Sequence, residues 1–528
     1  MNRKTLLPAV AGMVATVLAA CGGGPGTGGG EKTIVVGTTE VFALSKDTPA
    51  PFDPAAAYDA NSWTVLRNTF QTLLRVPRSG TELVGEVARQ CGFTDRANEQ
   101  YRCTLHQDLK FSNGHDLTAE DVAYSIRRSM NLAVPNGPVS LLSNIDTVEA
   151  TSPSEVVFHL KEPDATFPYK LATPAAAIVD SEEYPADKLK RGFDLVGSGP
   201  YTLDSVDLDK KRAVFRPNSH YRGGVEVKND GIELRFFDSP EAMEKALRAG
   251  DIDVMSRSFG PEQIERLDRD DDRIEVVEAP GQEIRCLFFD VDADPVQKVA
   301  VRRAVAQVIN RKELVRDVYA RTAEPLYTPV PTGLIGHRNS FFNRYGEPDV
   351  DAARTTLRNA GVDTPVRFEL AYTPDHGPVT KDEFETVRQQ LNDSGLFDVT
   401  LRRVPRADYY PQVTRGEHAV FGMGWIPDFP DAENFVAPFV GPDSYLRSAY
   451  RDKELFGLID DTRRTAQRSS TLDGFGRMQD IIARDVPLVP LWQGKQYIAV
   501  RDDITGAEWA LNSTMNLQMW ELGRGIRG

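Results

Sequence analysis

The segment Gly424-Trp425-Ile426-Pro427-Asp428-Phe429-Pro430-Asp431 gathers an indole, two carboxylates and two prolines. An aspartate beside proline suits a turn or a helix cap, where its carboxylate takes up backbone N–H groups. Taken by itself, Asp428 reads that way, and Trp425 reads as a core aromatic. The thiols are Cys21, Cys91, Cys103 and Cys286. Cys91 and Cys103 enclose Gly92 to Arg102, which reads as two strands and a polar turn. That arrangement brings the sulfurs together as a disulfide in an oxidising compartment; two free thiols are the alternative. Cys286, in Ile284-Arg285-Cys286-Leu287-Phe288-Phe289, reads as a small buried hydrophobe on a strand. Histidines are scattered, with no pair at ligand spacing, so no protein-ligated metal and no resident cofactor is expected. No Gly-x-Ser-x-Gly elbow, His-Glu-x-x-His helix or phosphate loop occurs, and Gly197-Ser198-Gly199 lacks the elbow spacing. With 77 acidic residues, chance carboxylate pairs are guaranteed and identify no glycosidase. The chemistry on offer is that of binding rather than turnover; an exported hydrolase is the remote rival.

The elements that must position these groups begin with a leader. Arg3 and Lys4 precede an apolar run from Leu6 to Leu18, followed by Ala19-Ala20-Cys21. Basic start, apolar centre and small residues at the cut are the layout of a secretory signal peptide, and the run is too short to span a bilayer. The cysteine at the cut looks like a bacterial lipoprotein signal. That likeness implies a signal peptide over 1–20 and a lipid on Cys21, anchoring the protein to the membrane. Residues 21–30 are nearly all glycine after the cysteine and read as a flexible tether. About 500 residues follow, more than one core organises, so at least two lobes are expected. The net charge of −15 argues against a nucleic-acid partner.

Strand-like and helix-like segments alternate, which points to a mixed α/β protein. Ile34-Val35-Val36 is a strand. Thr118 to Asp121 resembles a capping box with Asp in place of Glu or Gln, opening a helix with Val122, Ile126 and Met130 on one face. Ser239-Pro240 starts a helix that buries Met243, Ala246 and Leu247 and ends at Gly250. One longer helix is expected over Ala300 to Tyr319, others over Asp351 to Ala360, Glu383 to Leu391 and Leu472 to Ile482. Val366 to Tyr372 alternates like a strand, and Val486 to Trp492 is extended. The glycines of Gly197-Ser198-Gly199-Pro200-Tyr201 suggest a turn with unusual backbone angles.

Several segments in order resemble the family 5 extracellular solute-binding proteins of ABC importers, the oligopeptide, dipeptide and nickel binders. Leu105 to Val122, containing Lys110-Phe111-Ser112-Asn113-Gly114 and Leu117-Thr118-Ala119-Glu120-Asp121-Val122, is similar to one family signature. Gly197-Ser198-Gly199-Pro200-Tyr201, Val301-Arg302-Arg303-Ala304 with Asn310-Arg311, and Gly424 to Asp431 resemble three others. The resemblance implies a type II periplasmic-binding-protein-like α/β fold: two lobes, a central ligand cleft and an extra subdomain in lobe I. Lobe I would be 31–77, 165–280 and 487–528, the subdomain 78–164 and lobe II 281–486. It also implies a monomer outside the cytoplasm that captures extended peptides and delivers them to membrane permease subunits.

A buried peptide must have its ammonium, carboxylate and amide groups satisfied, and adding it as a strand to a sheet edge does much of that. By resemblance, Asp428 would hold the ligand ammonium. Met423, Gly424, Trp425 and Ile426 would offer main-chain groups, with Trp425 also packing on a side chain. A shielded ammonium–carboxylate bond contributes about 1.5–3 kcal/mol. Phe52-Asp53-Pro54 resembles a family segment at the cleft edge, making Phe52 and Asp53 candidate ligand neighbours. Dipeptide specialists carry an arginine in the loop corresponding to 373–380, whereas this loop has no Arg or Lys. Longer peptides therefore fit better. A metal chelate, haem or another small solute on the same scaffold is the alternative.

Overall fold

Three β-sheets carry the architecture of the computed structural model. It describes residues 33–525 apart from 43, 45–47, 79–81, 136, 258–259, 271–272, 375–376, 378, 443, 447–448 and 513. The expected leader, Cys21 and the 21–30 tether lie outside the described residues. In the first sheet, seven strands run in the order Ile274–Ala279, Gln496–Arg501, Val254–Ser256, Thr33–Thr38, Gly231–Phe236, Arg212–Pro217, Tyr201–Asp207. Thr33–Thr38 is parallel to both of its neighbours, and Ile34 and Val36 are fully buried, as a strand covered on its faces requires.

The second sheet has six strands in the order Ala323–Pro325, Leu488–Gly494, Ile284–Phe289, Val420–Trp425, Val366–Tyr372, Phe397–Arg403. Its core includes Leu287, Phe288, Val305, Leu370 and Met478, separate from the core of the first sheet around Ile34, Phe215 and Val500. The third sheet is antiparallel, Ala88–Phe93, Gln100–Leu105, Glu155–Leu160 and Ile145–Ser152. Cys91 and Cys103 face each other in register there and form the expected disulfide. Cys286 is a buried free thiol.

Local signals explain most boundaries. Asp121 Oδ2 accepts from the N–H and the hydroxyl of Thr118 at 2.9 and 3.0 Å, fixing the start of helix Ala119–Leu132. Ser239 caps Pro240–Ala249, and Gly250 ends it at φ +78°, a left-handed conformation that glycine adopts without strain.

Four expectations need correction. The helix over 300–319 is two helices, Val299–Val308 and Arg311–Asp317, because Ile309 is extended and the Asn310 side chain caps the second by accepting from Glu313 N–H. Strand Leu488–Gly494 pairs in the second sheet, so the boundary expected at 487 falls at Lys495. Leu73, Leu74, Phe167, Leu171 and Ile178 pack into the core of the third sheet, which extends that body beyond 78–164 on both sides. Neither Gly197 nor Gly199 has a positive φ. They are small because the end of helix Ala60–Thr69 presses on them. A Cβ on Gly197 would lie 2.1 Å from Thr69 O, and one on Gly199 2.5 Å from Thr69 C.

Candidate ligand site

Strand Val420–Trp425 is paired along its whole length with Ile284–Phe289 on one side. On the other side its pairing with Val366–Tyr372 stops at Ala371↔Phe421. Asp290 N–H donates to Ala419 O at 3.0 Å, so the main-chain groups of 419, 421, 423 and 425 point toward Ile284–Phe289. Those of 420, 422 and 424 point the other way. The Tyr409 hydroxyl accordingly donates to Gly422 O at 2.7 Å on that outer side. Gly424 follows, with its N–H and C=O on an edge that no described strand covers. Of the four residues expected to offer main-chain groups, Gly424 has its own on this open edge. Met423 does not: its side chain is buried and its main chain faces the neighbouring strand. Trp425 shares that direction and contributes its ring instead. Ile426 lies beyond the strand with its side chain exposed.

Gly424 sits tightly against a neighbouring side chain. A Cβ there would lie 3.0 Å from Arg285 Nη1. Arg285 is buried, ion-paired to Glu383 (3.4 Å) and stacked on Trp492 at 5.1 Å. Glu383 also accepts from the Tyr319 hydroxyl (2.8 Å) and Trp492 Nε1 (2.9 Å), so a rigid polar network supports the edge from below.

The Trp425 ring stands edge-on to Phe439 at 5.3 Å and lies 6.0 Å from the exposed ring of Tyr445. Asn434 Oδ1 accepts from Trp425 Nε1 (3.4 Å) and from Asp428 N–H (3.0 Å), tying the two residues together. The Asp428 carboxylate accepts from the Tyr58 hydroxyl at 2.9 Å and from Asn434 Nδ2 at 3.3 Å. Tyr58 precedes helix Ala60–Thr69 beside the first sheet, whereas Asp428 follows an edge of the second. The site therefore joins the two. Asp428 keeps part of its surface open, but protein surrounds it, and burial pushes its pKa up to about 6. The bonds from Tyr58 and Asn434 and the more distant charge of Lys170 only partly offset this. No cation among the described residues is in contact with Asp428.

Asp431, three residues on, is the structural carboxylate of the segment. It accepts from Glu433 N–H at 2.9 Å and holds the buried Arg468 through two bonds of 2.8 and 2.7 Å. Phe52 and Asp53 are not brought to the site. Phe52 is a core ring packed on Phe42 (4.8 Å) and Phe193 (5.6 Å). Asp53 is buried and committed to Arg128 through bonds of 2.8 and 2.6 Å. In the 373–380 loop, Asp375, His376 and Pro378 lie outside the described residues. No cluster of three potential metal ligands occurs among the described residues.

Residues 82–446, which include this whole segment, match the model of the bacterial extracellular solute-binding proteins, family 5. The chain belongs to this family. Its members bind solutes outside the cytoplasm and are not enzymes. This family 5 protein is 24% identical over 472 residues to the probable D,D-dipeptide-binding periplasmic protein DdpA of Escherichia coli (strain K12), covering 87% of this chain and 89% of that protein. It is 22% identical to the oligopeptide-binding protein OppA of Bacillus subtilis (strain 168), covering 90% and 91%. The fold matches the periplasmic binding protein DppA of Helicobacter pylori, solved with the peptide STSA, at a TM-score of 0.75 and 19% identity over 93% of this chain and 98% of that one. It is a type II periplasmic-binding-protein fold. No helix among the described residues is long and apolar enough to cross a membrane.

Proposed function

We propose that this protein captures peptides with a free N-terminus and delivers them to the permease of an ABC importer. The single observation behind this reading is Asp428, a carboxylate enclosed by protein, bonded among the described residues only by neutral donors and reachable from outside. A peptide ammonium supplies the missing positive charge. The main chain of Gly424 pairs with the peptide backbone as an added strand, and Trp425 and Tyr445 pack on its side chains. The names of DdpA and OppA support peptide as the ligand class. The 373–380 loop, without Arg or Lys, favours peptides longer than two residues.

In this reading the first-sheet region with the third-sheet body forms lobe I and the second-sheet region forms lobe II. The lobes close about the crossings at 280–283 and Lys495. Cys21 carries the lipid that keeps the monomer at the outer face of the cell membrane. ATP is hydrolysed by other subunits. The test is calorimetry with a tetrapeptide and its N-acetylated form. The free amine is expected to bind at one per chain, and acetylation to weaken binding at least about tenfold. Equal affinities would overturn the ammonium role of Asp428.

A further inference from the structure

A second cavity lies away from the Asp428 edge, between the C-terminal end of helix Ala60–Thr69, the segment 70–76, Tyr221 to Val225 and the chain near Asn512 to Trp520. It offers about 40 Å³ to the centres of water-sized molecules, room for several small atoms. Arg67 lines it. The Arg67 guanidinium makes no hydrogen bond or ion pair among the described residues, and its Nε is sealed from solvent. Burial alone pulls its pKa down to about 10, with no nearby carboxylate raising it.

Among the buried arginines, Arg128 has Asp53, Arg468 has Asp431 and Arg285 has Glu383, whereas Arg311 has no carboxylate among the described residues, donates to Pro490 O and leaves Nη2 without a partner. The acid in the cavity wall, Glu86, is already engaged by Arg75 (2.9 Å), Tyr221 (2.8 Å) and Gln71 (2.9 Å). Arg67 is half-buried, and a partly shielded cation with no counter-charge attracts an anion. Asn512 also lines the cavity. Asn512 Oδ1 accepts from the N–H groups of Thr514 (3.1 Å) and Asn516 (2.9 Å), which fixes its amide orientation and leaves Nδ2 without a protein partner among the described residues. The remaining wall is largely apolar, with Phe70, Trp520 and Pro174 prominent.

We propose that this cavity binds one small carboxylate of about acetate size, its oxygens on the Arg67 guanidinium and its carbon body against Phe70 and Trp520. The single uncompensated charge and the apolar wall favour a monoanion with a carbon body over phosphate. The bound anion would tie the helix that follows Tyr58 to the C-terminal segment.

The test is thermal unfolding of the full chain in acetate, phosphate or chloride at matched ionic strength, with calorimetric titration of acetate at one site per chain. Acetate is expected to raise Tm by about 2 °C over chloride, the rise growing with the logarithm of its concentration. Arg67→Met is expected to abolish that rise and Arg67→Lys to retain part of it. A wild-type response to acetate no larger than to chloride, or one undiminished in Arg67→Met, overturns the site. A response to phosphate alone overturns the carboxylate assignment. Should Arg67→Met fail to fold, the wild-type titration still decides: no saturable acetate heat means no site.

Discussion

Asp53 and Asp428 are both enclosed aspartates held by residues far away in sequence, yet they are built in opposite ways. Asp53 lies in the first-sheet region and has a full counter-ion. Arg128 meets both its oxygens, and the N–H groups of Ala55 (3.0 Å) and Lys190 (2.7 Å) complete the shell. Asp428, at the edge of the second sheet, receives a phenol and an amide and, among the described residues, no cation. A carboxylate with its charge balanced holds a fold together. One left unbalanced at an accessible edge is ready for a cation from outside.

Removing each carboxylate separates the two roles. Asp53→Ala leaves Arg128 buried without its partner and is expected to destabilise the protein by about 3–5 kcal/mol in denaturant titrations. Asp428→Ala is expected to weaken binding of a free-amine peptide about 10–100-fold by calorimetry, with little change in unfolding midpoint. Loss of stability in the second variant with unchanged affinity would reverse the comparison.

Asp428 also sets a pH dependence. Its pKa is about 6 in the fold against an ordinary 3.8, so folding favours the protonated form. Its contribution to stability is present below the ordinary value and is lost as the pH rises through about 6. The ammonium needs the ionised form, so peptide affinity is expected to fall by up to about tenfold per pH unit below 6. A pH series of calorimetric titrations checks this, with Asp428→Asn flat across the same range. The smallest effect follows from the same sign. At pH 7 Asp428→Asn removes an enclosed charge, and the unliganded protein is expected to gain about 1 kcal/mol, read as a higher Tm.

Much of the scaffold was legible because its signals are local. The Thr118 and Ser239 caps, the alternation of Val366 to Tyr372 and the Cys91/Cys103 hairpin each occupy a few residues and appear where expected. The helix break at Ile309 was missed because apolar spacing runs on through it, although Asn310 three residues before Glu313 was an available capping signal. The site was half legible. Trp425 and Asp428 share one short motif, but Tyr58 is 370 residues from Asp428 and nothing in its neighbourhood marks it. Phe52 and Asp53 carry the right residue types, but only packing shows that they face inward. The direction of Gly424's main chain, as opposed to Met423's, depends on which side of the strand lacks a neighbour.

Strands Leu488–Gly494 and Gln496–Arg501 are inserted among earlier strands, one in each large sheet, and they come near the very end of the chain. Until residues past 487 are in place, both sheets have a slot standing empty in their interior. The segment 488–501 fills the interior of both large sheets within a few residues of chain.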